Sequence, residues 1–243
     1  MIIHSKTDIG KSRSSNQDAY FAASLTSGAV FAIVCDGMGG ANAGNVASET
    51  AVKIISEYVL HSYRLDMDSF DISKMLKNAI ISANIEIYEM SQKNPELNGM
   101  GTTGVAVLVN RDKAVVINVG DSRAYHIGEE LTQITKDHSV VQSLIESGKI
   151  TSEDAKVHPS KNVITRALGA EENVVTDSYE VTLSKESKLL LCSDGLSSFA
   201  EEEEILNIFK SAEKEDITDE LIELANNGGG GDNITVVTLA MEE

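Results

Sequence analysis

The sequence predicts a mixed α+β fold from three kinds of segment. Short apolar runs, β-branched at 30–35 and leucine-rich at 189–192, are typical of buried strands. Residues 42–61 and 69–93 carry apolar side chains at helical spacing, which predicts two long amphipathic helices. Between the strand-like segments 102–109 and 113–119 stands Asn110-Arg111-Asp112, a connection typical of an antiparallel hairpin.

The other elements are predicted from the same patterns. Residues 139–172 differ, because they are polar and hold only short helical pieces. We interpret this segment as a flap on the surface of a single domain that spans residues 1–243. The remaining predicted elements are strands within 2–9 and at 20–23, 123–127, 174–183, 188–192 and 234–239, and helices at 140–147, 152–156, 201–211 and 216–227.

The composition excludes several classes of protein. There are 20 Lys and Arg residues against 38 Asp and Glu residues, which gives a formal net charge of −18. This charge repels nucleic acid and anionic membranes, and no basic cluster relieves it. Cys35 and Cys192 lie in apolar runs and are predicted to be core residues without a disulfide. No run approaches the ~20 apolar residues of a membrane span, so we expect a soluble, cytoplasmic protein.

Aspartates recur at the edges of the predicted strands, beside glycine. A strand that delivers an Asp and then turns through glycines can place the carboxylate near backbone carbonyls, which suits a hard cation. A single Asp-Gly pair is more often only a turn. Several carboxylates that converge need cations to neutralise them, and an all-oxygen set favours Mg²⁺ or Mn²⁺ over Zn²⁺. The carboxylates concerned are those of Asp18, Asp36, Asp121, Asp194 and Asp232.

Two other polar residues are candidates for the same site. Arg13 lies in a Ser-rich loop, where its guanidinium could bind a phosphate through two N–H groups, although the local sequence alone favours a solvated surface arginine. His138 stands at the start of the predicted flap and is expected to organise that loop, with proton transfer as the alternative.

Short motifs that contain these residues follow one another from residue 13 to residue 235. They are Arg13-x-x-Asn16-Gln17-Asp18, Asp36-Gly37-Met38-Gly39-Gly40, Gly101-Thr102-Thr103, Gly120-Asp121-Ser122-Arg123-Ala124-Tyr125, Leu131-Thr132, Asp137-His138-Ser139, Ile164-Thr165-Arg166-Ala167-Leu168-Gly169, Ser193-Asp194-Gly195-Leu196 and Gly231-Asp232-Asn233-Ile234-Thr235. In this order they resemble the metal-dependent type 2C protein phosphatases, the PPM family, and especially its bacterial branch. Any one motif would be a weak signal, whereas the ordered set is highly specific.

The resemblance implies a four-layer α-β-β-α sandwich, in which two antiparallel sheets are flanked by helix pairs. It also implies a phosphoserine/phosphothreonine protein phosphatase that uses two Mn²⁺ or Mg²⁺ ions and can accept a third. In that family a water or hydroxide that bridges the metals attacks the phosphate directly. The implied partners are phosphorylated proteins and a Ser/Thr kinase of opposite action. We expect a monomer without nucleic-acid or membrane partners.

The resemblance assigns roles to individual residues. Asp36 would bridge the two metals and act in catalysis with Arg13, which would bind the substrate phosphate. The Gly37 carbonyl would bind one of the metals. Asp194 and Asp232 would complete the coordination of the first metal.

The resemblance also assigns roles at the outer positions of the site. Asp121 would hold the third metal together with Asp194, and Asp18, with Gln17 in a weaker role, would hold water or ligand near the metal pair.

Two residues depart from the family pattern. Gln17 replaces a Glu that is common in the family, which removes one negative charge. Met38 stands where many members have a His, and a thioether cannot donate a proton to the leaving alkoxide.

Three other functions are weighed against this one. A catalytically silent relative that acts as a binding module would usually have lost metal ligands, yet Asp36, Asp194 and Asp232 are all present. A two-metal nuclease or phosphodiesterase is disfavoured by the charge of −18 and the lack of a basic groove. A cysteine phosphatase is disfavoured because no Arg lies six residues after Cys35 or Cys192.

Overall fold

The structure is a computed structural model, and it describes residues 1–25, 28–39, 43–211 and 216–241. Its strands are β1 Ile2–Asp8, β2 Asp18–Ser24, β3 Val30–Met38, β4 Gly101–Thr102, β5 Gly104–Asn110, β6 Lys113–Val119, β7 Arg123–Ile127, β8 Leu131–Gln133, β9 Asp177–Thr182, β10 Lys188–Cys192 and β11 Ile234–Ala240. Its α-helices are α1 Ala43–Ser62, α2 Ser69–Lys93, α3 Val140–Glu146, α4 Ser152–Val157, α5 Asp194–Ser197, α6 Glu202–Ser211 and α7 Thr218–Asn227.

The strands form two antiparallel sheets. The first has the order β1-β11-β10-β7-β8, and the second has the order β2-β3-β5-β6-β9, with β4 paired to the end of β3. Successive side chains of a strand point to opposite faces of its sheet. In β3, Phe31 and Ile33 therefore pack towards α1 and α2, while Val30 and Val34 pack towards the other sheet.

Three apolar cores separate four layers. One core lies between the pair α1 and α2 and the second sheet, one lies between the two sheets, and one lies between the first sheet and α5, α6 and α7. Burial of apolar surface on both faces of each sheet holds the layers together. The predicted α+β fold, a four-layer α-β-β-α sandwich, is confirmed.

The largest difference from the predicted elements concerns β3. This strand does not end at Asp36, as predicted, but continues to Met38, because Gly37 and Met38 pair with β4. The predicted strand 102–109 is interrupted at Thr103, whose backbone N–H donates instead to the Asp36 carbonyl over 2.8 Å. Asp36 therefore lies within a strand and not at a turn, so the expectation of a turn immediately after it was wrong.

Smaller differences concern short elements and helix ends. The sequence did not predict β8 or α5, and β9 is shorter than the predicted strand 174–183. Gly40 and the predicted first residue of the long helix, Asn42, lie outside the described residues. Cys35 and Cys192 are buried and free, as expected. Within the described ranges, none of the helices combines the length and the apolar composition needed to cross a bilayer.

The segment 139–172 contains α3 and α4 close to their predicted bounds. Ser139 forms an isolated bridge with Ile164, which closes the segment on itself. Leu168 forms another with Thr102 of β4. The end of the segment is therefore attached beside Gly37, the pairing partner of Thr102.

Candidate metal centre

Asp18 and Asp36 are directly opposite each other on neighbouring strands. Asp18 is the first residue of β2, and its antiparallel partner in β3 is Asp36. Residues opposite each other in an antiparallel pair place their side chains on the same face. The Asp36 backbone is held by Thr103, whose hydroxyl accepts the Asp36 N–H at 2.9 Å. Two carboxylates are thereby fixed side by side at one end of the second sheet.

Gly37 is required because the backbone approaches α1 closely at this point. A Cβ at Gly37 would lie 2.2 Å from the Gly44 carbonyl oxygen and 2.6 Å from the Gln17 carbonyl oxygen, and both distances are too short for any side chain. A Cβ at Gly44 would in turn lie 2.8 Å from the Gly37 carbonyl oxygen. The absence of side chains at both positions lets the start of α1 lie against the Gly37 carbonyl.

The first sheet contributes two further carboxylates. Asp194 begins α5 just after β10, and Asp232 precedes β11, the strand that pairs with β10. Gly195 lies so close to the loop before β11 that a Cβ would stand 1.9 Å from the Asn233 carbonyl oxygen. The side chains of Asp36 and Asp194 are close enough that hydrogen bonding between them lowers the pKa of Asp194, against the larger effect of burial. Carboxylates from the two sheets therefore meet.

Asp121 follows β6 after Gly120, which has a φ of 105°, a conformation that favours glycine. Burial, and after it the nearby charge of Asp194, raises the pKa of Asp121 to about 7. Asp121 thus lies beside Asp194, where the resemblance placed a third metal.

Burial and mutual repulsion disfavour ionisation of these carboxyl groups. Burial raises the pKa of Asp18 to about 7 and the pKa of Asp194 to about 6. The pKa of Asp36 is raised well above its ordinary value, first by burial and then by the charges of Asp18, Asp194, Asp121 and Asp232. The five predicted aspartates therefore lie in one region, and their negative charges are poorly compensated by the protein itself.

The donor atoms fit a hard divalent cation. The Oδ1 atoms of Asp18 and Asp194 are buried and have no hydrogen-bond partner, which is costly for an oxygen that nothing else satisfies. In the described part of the chain, however, no three His, Cys, Asp or Glu side chains are close enough to hold an ion by themselves. A cation here would complete its shell with water and a backbone carbonyl, which is the usual coordination of Mg²⁺.

Arg13 lies at the edge of this cluster. Its Nη2 donates to Asp232 Oδ2 over 2.7 Å, and this hydrogen bond holds the pKa of Arg13 above its ordinary value. The Arg13 side chain is nevertheless 52% exposed. The structure therefore places Arg13 beside the carboxylates with part of its guanidinium accessible, instead of leaving it isolated on the surface.

Asn233 holds the loop that carries Arg13, a role that its sequence motif alone did not reveal. Its Nδ2 donates to the carbonyl oxygens of Ile9 and Ser15, at 2.9 Å and 3.0 Å, and its Oδ1 accepts the Gln17 N–H at 2.8 Å. One side chain thus holds both ends of the loop that carries Arg13. The only signal in the sequence is an Asn that follows a glycine run and an Asp.

His138 organises the loop before the flap segment. Its Nδ1 accepts the Gly120 N–H at 3.0 Å, so the neutral ring carries its proton on Nε2, which lies 3.1 Å from Asp177 Oδ2. Burial lowers the pKa of His138. These contacts agree with the expected role in the loop, and they tie the flap segment to the turn that carries Asp121.

Residues 9–226 match the family model described as Protein phosphatase 2C. The chain belongs to this family. The "Serine/threonine phosphatase stp" of Listeria monocytogenes serotype 4b is 41% identical over 237 residues, which are 96% of this chain and 92% of that protein. The predicted family is confirmed, and the chain is a protein phosphatase and hence a hydrolase. Asp232 lies beyond the residues that the family model matches.

Solved structures of other members of the protein phosphatase 2C family superpose closely on this chain. The Serine/threonine phosphatase Stp1 from Staphylococcus aureus has a TM-score of 0.93 at 36% identity, covering 99% of this chain and 95% of that one. The catalytic domain of the phosphatase PstP, in complex with two manganese ions, has a TM-score of 0.85 at 34% identity, covering 98% of this chain and 96% of that one. Similarity across both chains supports a common layered fold.

Proposed function

We propose that this protein phosphatase removes phosphate from phosphoserine and phosphothreonine in proteins, and that it requires Mn²⁺ or Mg²⁺. One observation carries the proposal: buried carboxylates from both sheets converge, and the Oδ1 atoms of Asp18 and Asp194 have no hydrogen-bond partner. The names of the relatives support the substrate class, and the PstP catalytic domain that binds two manganese ions supports the metal.

The site residues divide into metal ligands and a phosphate-binding residue. Asp36, Asp194 and Asp232, with the Gly37 carbonyl, would hold two cations, and Asp121 would share a third with Asp194. Bound cations would supply Lewis acidity and an activated water for direct attack on phosphorus. The protein residues keep the carboxylates on a rigid sheet edge, where burial strengthens their attraction for cations.

Arg13 is suited to bind the phosphate of the substrate. Its guanidinium already binds a carboxylate oxygen of Asp232 over 2.7 Å, and a phosphate presents oxygens of similar spacing to the same N–H groups. Because Arg13 is half exposed, the guanidinium can reach an incoming phosphoprotein. It would orient the phosphate and balance charge that develops on it.

Replacing Arg13 by Gln should lower kcat/KM for a phosphopeptide about 10- to 100-fold, because a hydrogen bond to a charged group is lost. The affinity for Mn²⁺, measured by calorimetry without substrate, should not fall, because Arg13 is not a metal ligand. Arg111→Gln, in the exposed hairpin between β5 and β6, is the matched control and should behave as the wild type. An unchanged kcat/KM for Arg13→Gln would contradict the role.

The substrate class is tested by comparing phosphoserine and phosphothreonine peptides with a phosphotyrosine peptide and a dinucleotide diester, each with Mn²⁺ and with excess chelator. We expect phosphate release from the first two peptides only when metal is present. Hydrolysis in excess chelator, or preference for the diester, would contradict the proposal. Metal binding without hydrolysis of any substrate would instead support the silent binding module.

We also propose that residues 1–243 act as one phosphatase domain and that segment 139–172 serves as its flap. Support comes from the bridge between Leu168 and Thr102, which attaches the segment beside the metal centre. The net charge of −18 favours phosphosites with basic neighbours. The kinase of opposite action is a prediction from the resemblance, and the monomeric state and the cytoplasmic location are predictions from the sequence.

A further inference from the structure

The two oxygens of the Asp18 carboxylate have different surroundings. Oδ2 accepts hydrogen bonds from the hydroxyls of Ser193 and Thr235, each at 2.7 Å. Oδ1 is buried and has no partner. A carboxylate held through one oxygen by two donors is fixed in orientation, and its other oxygen is left for a different ligand.

The hydroxyl protons can be assigned from the hydrogen-bond pattern. An ionised carboxylate only accepts, so the single hydroxyl proton of Thr235 is used on Asp18. Thr235 Oγ1 also lies 2.7 Å from Thr7 Oγ1, and Thr7 must therefore be the donor of that bond. Thr7 Oγ1 accepts in turn from Asn16 Nδ2 at 2.8 Å.

The chain of hydrogen bonds closes on itself. Asn16 Oδ1 accepts the backbone N–H of Asp18 at 3.1 Å, which also assigns the orientation of the Asn16 amide. The ring therefore runs from Asp18 to Asn16, Thr7, Thr235 and back to Asp18. Each member both satisfies and orients its neighbour, so the ring resists rotation of the Asp18 side chain.

Ser193 completes the support from the other side. Its Oγ accepts the Thr235 N–H at 3.0 Å, which directs its own proton to Asp18. Ser193 precedes α5 but forms no side-chain cap to that helix, because its hydroxyl is used on the carboxylate. Ser193 and Thr235 are both fully buried, so water does not replace either donor.

We propose that Ser193 and Thr235 are positioning residues, which hold the Asp18 carboxylate so that Oδ1 faces the metal centre. Asp18 belongs to the second sheet, whereas Thr235 belongs to β11 of the first sheet and Ser193 directly follows β10 of that sheet. The two hydroxyls thus fix the Asp18 carboxylate of the second sheet relative to Asp194 and Asp232, which lie next to strands of the first sheet. This inference rests on the proposed function, because it assumes that the aspartates bind divalent cations.

The test is the affinity for Mn²⁺, measured by calorimetry without substrate. Thr235→Val keeps the shape of the side chain and removes the hydroxyl, and we expect binding about 10- to 100-fold weaker, as for other residues that orient metal ligands. Thr235→Ser restores the hydroxyl and should restore most of the affinity. Thr238→Val is the matched control: Thr238 is a buried residue of the same strand whose side chain bonds to no other described residue.

A second comparison separates positioning from general loss of structure. In an Asp18→Ala background, Thr235→Val should cause no further loss of Mn²⁺ affinity, because the group that it positions is gone. The same loss in both backgrounds, or wild-type affinity for Thr235→Val, would overturn the inference. If Thr235→Val does not unfold cooperatively, the variant Ser193→Ala, which removes the other donor, is used in place of Thr235→Val in both comparisons.

These outcomes are distinct from a failure of the proposed function. If the wild-type protein binds Mn²⁺ but hydrolyses no phosphopeptide, the proposed function fails, and the comparison of Mn²⁺ affinities still decides whether Thr235 positions Asp18. If Asp18→Ala binds Mn²⁺ as tightly as the wild type, Asp18 does not serve the metal centre and the inference is overturned, whatever the substrate.

Discussion

Replacing Asp36 or Asp194 by Ala is expected to lower kcat/KM for a phosphopeptide roughly 10³-fold or more, because several kcal/mol of transition-state stabilisation by the cations are lost. The charges of Asp18, Asp194, Asp121 and Asp232 all act on Asp36. Asp194 follows the first sheet and lies close enough to Asp36 that hydrogen bonding between the two side chains lowers the pKa of Asp194. The two variants should also show weakened Mn²⁺ binding in a calorimetric titration.

The control for this prediction is Asp66→Ala. Asp66 is an exposed aspartate between α1 and α2, outside the carboxylate cluster, so its removal should leave both kcat/KM and Mn²⁺ affinity as in the wild type. Both site variants should fold, because removal of one of several repelling carboxylates relieves charge in the metal-free protein. A folded Asp36→Ala protein with near-wild-type, metal-dependent hydrolysis would refute the metal centre described here.

The metal-free protein is expected to become less stable as the pH rises from about 4 to about 7. Burial raises the folded-state pKa of Asp18 and Asp121 to about 7, against an ordinary value of 3.8. A group with a raised folded-state pKa contributes its full stability below the unfolded-state pKa and loses that stability as the pH rises through the folded-state value. At about 1.4 kcal/mol per pKa unit, the loss is on the order of a few kcal/mol.

This prediction is checked by thermal unfolding of chelator-treated protein at several pH values. The Tm should fall by about 10 °C across this range. Mn²⁺ should raise the Tm most at the upper end, because metal ligands bind in their deprotonated form. Asp121→Asn removes one titrating group and should make the dependence shallower. A Tm of metal-free protein that is constant or rises over this range would show that the carboxylates are not buried together.

The elements that the sequence predicted well are those with a strong local pattern. The apolar spacing in residues 69–93 matches α2 at both ends, since a helix of that length is decided by its own periodicity and by the Asp68 cap before it. Short elements such as β8 and α5 carry too few residues for a period to be seen, and only their neighbours in space stabilise them. β3 was predicted to end at Asp36 because Asp-Gly usually marks a turn, whereas pairing with β4 extends it.

The amino-acid sequence by itself determined the family, the layered class of fold and the identity of the carboxylates, because motif order and local periodicity are properties of the chain. The tertiary structure alone decided that Arg13 pairs with Asp232, that Asn233 holds the loop around Arg13, and that Thr235 binds Asp18. The physical reason is distance along the chain: Asp18 and Thr235 are 217 positions apart, and only the meeting of the two sheets brings their side chains within 2.7 Å.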